Sequence, residues 1–308
     1  MNFRTFVRKR RFALGLLVAA VSLASLIAAF VSNGDRRPPL QKGTWIWDAA
    51  SVVEQAEDIL HFSKRNGVTH IYLYVDRENV SPGEYARFIA QAGKQGIRVE
   101  ALAGDPSWGW REKREHLQSF LEWVARYNTD VDEEARFSGI HLDIEPYLLP
   151  EWETDAPRLL EEWLANLDYA AREARRIGGL EASVDVPFWI HEIEVPGYER
   201  FSVGAWMFKR FDTVVLMDYR DRAEGSDGIV AHASAMVDEA TSADKAVVVG
   251  VEVAPNDEAE KTTFHEEGIE TMERELEKTR RHFQNYRGFR GTAVHGFPEW
   301  MSRERKGE

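Results

Sequence analysis

From Gly43 onward, short β-branched runs alternate with longer stretches whose apolar residues recur at helical spacing. The first run is "GTWIWDA" (43–49), and a helical stretch follows it to Asn66-Gly67. "THIYLYVDR" (69–77), a helix over 82–96, "IRVEALAG" (97–104) and a helix over 111–127 continue the series. The fourth run, "SGIHLDIEPY" (138–147), precedes a helix with Asp155 as N-cap, Pro157 in its first turn and Gly178-Gly179 at its end. Leu160, Trp163, Leu164 and Leu167 give that helix an apolar stripe. "EASVDVPFW" (181–189), a short or broken helix within 196–211, "TVVLMDYRD" (213–221) and a helix over 227–239 come next. "KAVVVGVEVAP" (245–255) leads to Thr263 and Glu266, whose capping-box spacing opens a helix reaching about Tyr286. "GTAVHGFPEW" (291–300) closes the list.

Eight such units in about 260 residues match a single α/β domain, a (β/α)8 TIM barrel over 43–301 with a charged tail over 302–308. The alternation also fits an open doubly wound sheet, but no Gly-rich phosphate turn follows the first strand, which favours the barrel.

The N-terminus changes the picture. Residues 1–11 carry Arg4, Arg8, Lys9, Arg10 and Arg11 and no acid, and 12–31 is uncharged with only Ser22 and Ser25 polar. About 20 such residues suffice to cross a bilayer, whereas a cleaved signal has a shorter apolar core. The expectation is a single-pass membrane anchor, or else a signal peptide with cleavage near Ala28-Ala29. The basic flank stays cytoplasmic, 32–42 forms a tether, and the barrel lies outside. The formal charge is −13, and without the basic flank the remainder is more acidic still. That argues against nucleic acid as a partner. The absence of cysteine excludes disulfides, thiolate metal sites and a cysteine nucleophile.

A strand sends alternate side chains to opposite faces, so His141, Asp143 and Glu145 share one face, with Ile140, Leu142 and Ile144 on the other. Burying three ionisable groups together costs several kcal/mol unless they are paired or used. A barrel keeps its active site at the C-terminal strand ends. There stand Asp143, Glu145, Asp185, Asp218, Glu252 and His295, with Trp45, Trp47, Tyr74, Tyr147, Tyr219 and Trp300 nearby. Carboxylates ringed by aromatic faces suit a polysaccharide, since rings stack on pyranoses and acids bind hydroxyls. No cofactor is called for.

The fourth run resembles the active-site strand of family 18 glycoside hydrolases, the chitinase group, which ends in Asp-x-x-Asp-x-Asp-x-Glu. Ser138, His141, Asp143 and Glu145 fall on the four positions, so the last two match and the first two depart. Met217 and Tyr219 match that family's Met-x-Tyr on strand six, and Trp300 lies near its strand-eight Trp. This resemblance implies a TIM barrel, Glu145 as general acid, and Asp143 and Tyr219 assisting attack by the substrate's acetamido oxygen. A second resemblance is to retaining (β/α)8 glycosidases with catalytic Glu on strands four and seven. Glu145-Pro146 and Glu252 fit it, while Ile144 stands where Asn is usual. That reading makes Glu252 the nucleophile, about 5–5.5 Å from Glu145.

Three other readings stand beside these. His141, Asp143 and Glu145 could ligate zinc or manganese, although no second His-rich cluster supports it. His141 alone reads best as a hydrogen-bonded residue of the barrel interior, and Glu252 could simply hold Arg220. The barrel could also be a carbohydrate-binding protein without catalysis.

Overall fold

A computed structural model describes residues 39–178, 180–256 and 259–306. The basic flank and apolar segment expected over 1–31, and most of the tether, lie outside the described residues. No helix of the described residues is long and apolar enough to cross a membrane.

Eight parallel strands close into a barrel in sequence order, β1 (Gln41–Ile46), β2 (His70–Tyr74), β3 (Arg98–Ala103), β4 (Gly139–Leu142), β5 (Glu181–Pro187), β6 (Thr213–Met217), β7 (Ala246–Glu252) and β8 (Phe289–His295). β8 returns to β1, pairing Gln41 with Gly291 and Thr44 with Val294. The expected barrel is therefore the fold, and the open-sheet alternative is excluded. Two boundaries move. Gln41 and Lys42, expected in the tether, already pair within β1. Residues 302–306, expected as a tail, belong to the last helix.

The helices form the outer layer: α1 (Ser51–Glu54), α2 (Ala56–Arg65), α3 (Pro82–Lys94), α4 (Arg114–Asp130), α5 (Glu151–Arg176), α6 (Val203–Phe208), α7 (Ile229–Ala243), α8 (Ile269–Phe283) and α9 (Phe297–Lys306). Local sequence explains several ends. Ser81 and Glu84 make a capping box that encloses Pro82 at the first helical position. Asp155 takes non-helical angles (φ −147°, ψ 40°) inside α5, so the expected helix start is a kink between a leading turn and the main helix. The capping box expected at Thr263 and Glu266 is not formed. Thr263 is buried, its hydroxyl donates to the Ala254 carbonyl at 2.6 Å, and α8 begins only after Gly268, whose φ is +80°.

Alternation along the strands sorts two cores. Residues such as Ile71, Leu73, Ile140, Leu142, Val214 and Leu216 pack outward against the helices. Trp45, Tyr72, Leu102, Val215, Val248 and Ala293 fill the lumen. A Cβ on Gly250 would stand 3.0 Å from the Trp45 ring, so glycine there makes room for the indole. With its floor plugged, the barrel offers chemistry only at its rim.

Candidate active site

The lumen-facing parity fixes which predicted residues meet. On β4, His141 and then Asp143 and Glu145 follow one another up the lumen side. The ladder pairs His141 with Ser183 and Leu142 with Val184, so Asp143 and Asp185 are the next lumen-facing residues above it. β4 ends at Leu142, and Asp143 to Glu145 lead out of the strand to a 3₁₀ turn at Pro146–Leu148, with Glu145 at φ −112° and ψ 67°. Pro146 cannot donate to a neighbouring strand, which helps free the segment that carries the acid. The chain is held close there: a Cβ on Gly104 would lie 1.6 Å from the Asp143 carbonyl oxygen.

Beneath the acids runs a buried chain of hydrogen bonds. His141 is fully buried, with Nδ1 2.6 Å from Ser183 Oγ and Nε2 2.8 Å from Asp185 Oδ2. Ser183 donates to Glu100 Oε2 at 2.5 Å, and Trp45 Nε1 donates to Asp185 Oδ2 at 2.8 Å. Tyr72 stacks on the imidazole at 3.8 Å. Burial lowers His141 to about 4, so the ring is neutral at physiological pH. The Glu100–Ser183–His141–Asp185 chain then has three bonds, of which Ser183 and His141 each supply one proton. With Ser183 donating to Glu100, His141 donates from Nδ1 to Ser183, and the third proton must sit on Asp185, whose pKa burial raises. His141 thus has the internal role expected for it alone. Both its nitrogens are engaged, which leaves none for a metal. No described group of three or more His, Cys, Asp or Glu is spaced to hold a metal ion.

Asp143 is half-buried as a residue, and its Oδ1 is fully buried and has no hydrogen-bond partner among the described residues. The same is true of Asp185 Oδ1. Burial first, then the charges of Asp185 and Glu145, push Asp143 well above the ordinary carboxylate range. The Tyr147 hydroxyl donates to Glu145 Oε2. The Tyr219 ring lies 6.0 Å from that of His295; burial raises its hydroxyl, and the charges of Glu252, Asp185, Asp143 and Glu145 add to the shift.

Glu252 is committed elsewhere. Its Oε1 accepts from the Val253 and Ala254 amides at 2.7 and 2.8 Å, and its Oε2 lies 2.5 Å from His295 Nδ1. Burial alone would raise Glu252, but His295 and the two amides more than offset it. The alternative partner Arg220 pairs with Asp227 instead. His295 Nε2 accepts from Trp47 Nε1 at 3.0 Å. Burial lowers the pKa of His295, yet Glu252, Asp185 and Asp143 raise it overall. The Trp47 bond favours the neutral ring and opposes that rise.

This barrel is similar to those of solved chitinases and of a spore cortex-lytic enzyme. The GH18 chitinase from Pseudoalteromonas aurantia superposes with a TM-score of 0.53 at 12% identity, over 87% of this chain and 100% of that one. The spore cortex-lytic enzyme SleL from Bacillus cereus gives 0.54 at 11%, over 87% and 74%. A chitinase from Chromobacterium violaceum gives 0.50 at 14%, over 87% and 98%. No family model and no curated relative matches the sequence. At these identities the shared property is the fold, which is the fold that the family 18 resemblance implies.

Two expected site residues stand elsewhere. Asp218 has the parity of Val214 and Leu216 and turns into the helix layer, where it bonds His232 at 3.0 Å. Trp300 was expected at the strand end, but Gly296 (φ +77°) turns the chain into α9. That helix buries Trp300 against Phe62, with ring centroids 5.0 Å apart. Trp45, though in the lumen, is 2% exposed and forms the floor rather than an open stacking face. Trp47 is 38% exposed, with Tyr74 5.8 Å away. A cavity of about 510 Å³ opens at the C-terminal ends of β1 and β8, lined by Trp45, Trp47, Asp48, His295, Phe297 and Met301 among others. Met217 is partly exposed at the end of β6.

Sequence reasoning missed Trp152, which lies 6.2 Å from Tyr147 and 6.5 Å from Trp189. Tyr147 and Trp189 are themselves 5.2 Å apart, so the three rings cluster beside Glu145. The helix-start signal at Asp155 and Pro157 was the available clue, because it leaves Trp152 ahead of the main helix.

Proposed function

We propose that the chain is a glycoside hydrolase acting on a polysaccharide that contains N-acetylhexosamine, with Glu145 as the general acid. The observation that carries this reading is the convergence of Glu145, Asp143, Asp185 and Tyr219 at the C-terminal rim, with aromatic rings on either side. Solved barrels of similar fold include chitinases and a spore cortex-lytic enzyme, which supports the substrate class.

In this mechanism Glu145 delivers a proton to the departing glycosidic oxygen. The substrate's acetamido oxygen attacks the anomeric carbon from the other side, and Asp143 and Tyr219 bind and orient the acetamido group. Water then attacks the anomeric carbon and opens the cyclic intermediate, and Glu145, now a carboxylate, takes a proton from that water. A covalent glycosyl-enzyme at Glu252 is disfavoured because both its oxygens are engaged. Trp47, Tyr74 and Tyr147 supply stacking surfaces for neighbouring sugars. Residues 12–31, as anchor or signal, would place this chemistry outside the cell membrane.

One contact supports a second reading. The Tyr147 hydroxyl donates to Glu145 Oε2, so one of the two oxygens that would serve the departing group is already engaged. A sugar-binding barrel without turnover would tolerate that. Hydrolysis of chromogenic N-acetylglucosamine oligomers, compared with calorimetric binding of the same oligomers, separates the two. Release of chromophore supports the enzyme, and binding without release supports the second reading.

A further inference from the structure

Asp218 lies between two residues of the candidate site, Met217 and Tyr219, yet its own side chain points the opposite way and is fully buried. Its Oδ1 lies 3.0 Å from His232 Nδ1, on α7. The other imidazole nitrogen, Nε2, lies 3.2 Å from Asp227 Oδ1. His232 therefore bridges two carboxylates, one buried and one at the surface. Asp227 also holds Arg220 Nε at 3.0 Å and Lys261 Nζ at 2.6 Å. Arg220 Nη1 turns back and donates to the Tyr219 carbonyl at 2.7 Å. Phe188 stacks on the imidazole at 4.1 Å and 9°, which fixes the plane of the ring.

Tyr219 is thus gripped through the residues on both sides of it. Apolar packing would fill this space at a lower desolvation cost, since a buried ion pair is weak evidence for stability. What the polar bridge adds is direction, because hydrogen bonds fix an orientation that apolar contacts leave loose.

We propose that His232 is a positioning residue. Through Asp218 on one side and Asp227–Arg220 on the other, it holds the backbone of residues 217–220 so that the Tyr219 ring stands among Asp143, Asp185 and Glu145. This rests on the reading of Tyr219 as a group that binds the substrate's acetamido oxygen.

The test uses full-length protein labelled with 3-fluorotyrosine, with the Tyr219 fluorine resonance assigned from Tyr219→Phe. His232→Phe keeps the stack on Phe188 and removes both bridging nitrogens. Asp227→Ala loosens the exposed end alone, so it remains informative if the first variant does not fold. His232→Asn keeps a donor toward Asp218. The expected result is a displaced or broadened Tyr219 signal in His232→Phe, a smaller change in Asp227→Ala, and a return toward the wild-type position in His232→Asn. The Tyr147 signal should stay in place throughout. On N-acetylglucosamine oligomers, kcat of His232→Phe should fall about tenfold with KM within about twofold, the mark of misplacement rather than lost binding. A Tyr219 signal unmoved in Asp227→Ala and in folded His232→Phe overturns the proposal. A signal that moves in a protein that hydrolyses no such oligomer supports the clamp and overturns the proposed function instead.

Discussion

Asp143 and Asp185 are the next lumen-facing residues above the last paired rung of the β4–β5 ladder, Leu142–Val184, each with one buried carboxyl oxygen that has no partner among the described residues. Burial raises both, and Asp185 adds its charge to the shift of Asp143. A carboxyl raised in the folded state contributes stability that is complete below its unfolded pKa and is lost as pH rises through the folded value. The window therefore opens near pH 4, the ordinary aspartate value, and runs upward through the raised pKa values. Thermal stability should be higher at pH 5 than at pH 8. Asp185→Asn should flatten that slope and raise Tm at pH 8, because each unit of upward shift costs about 1.4 kcal/mol once the group must ionise. Calorimetric melting of both proteins across pH 4–9 checks this, and parallel curves would refute it.

Glu145→Gln should abolish turnover while leaving the fold and glycan affinity intact. The amide keeps the shape and can still accept from the Tyr147 hydroxyl, but it has no proton to deliver. The loss should be roughly 10²–10⁴-fold or more in kcat. Steady-state kinetics with circular dichroism on the same sample makes the comparison, and near-normal turnover would remove Glu145 from the role of acid.

Asp143→Asn and Glu252→Gln distinguish the two glycosidase mechanisms. Substrate assistance requires a 2-acetamido group at the cleaved sugar and should be crippled by Asp143→Asn. Glu252→Gln should act mainly by loosening His295, with a loss of about tenfold or less. Matched oligomers with and without the acetamido group, assayed on both variants, give the answer. Cleavage of plain glucosides that collapses in Glu252→Gln would instead make Glu252 a nucleophile.

Gly104→Ala should be poorly tolerated. The new methyl would meet the Asp143 carbonyl oxygen at 1.6 Å, so β3 and the acid-bearing segment would have to part. Overpacking of this kind costs about 3 kcal/mol or more. Urea unfolding should show a large drop in midpoint, with a still larger loss of activity if the protein folds.

The alternation of strand and helix, and the apolar patterns within them, determined a parallel β/α fold of eight units, and the lack of a Gly-rich turn after the first strand favoured the barrel; only the β8–β1 pairing closed it. The same parity put Asp143, Glu145, Asp185, Glu252 and His295 on the lumen side, and applied strictly it also excludes Asp218, which sits in phase with Val214 and Leu216. Trp300 could not be placed this way, because the turn at Gly296 ends the strand period before the tryptophan is reached. Only the tertiary structure decided the partners. His141 meets Ser183, 42 residues away, and Trp45 meets Asp185 across 140 residues, contacts set by strand register and lumen diameter rather than by local spacing. Glu252 shows the same division: its place on the rim follows from the sequence, but its engagement by His295 follows from the neighbouring strand that barrel closure brings beside it.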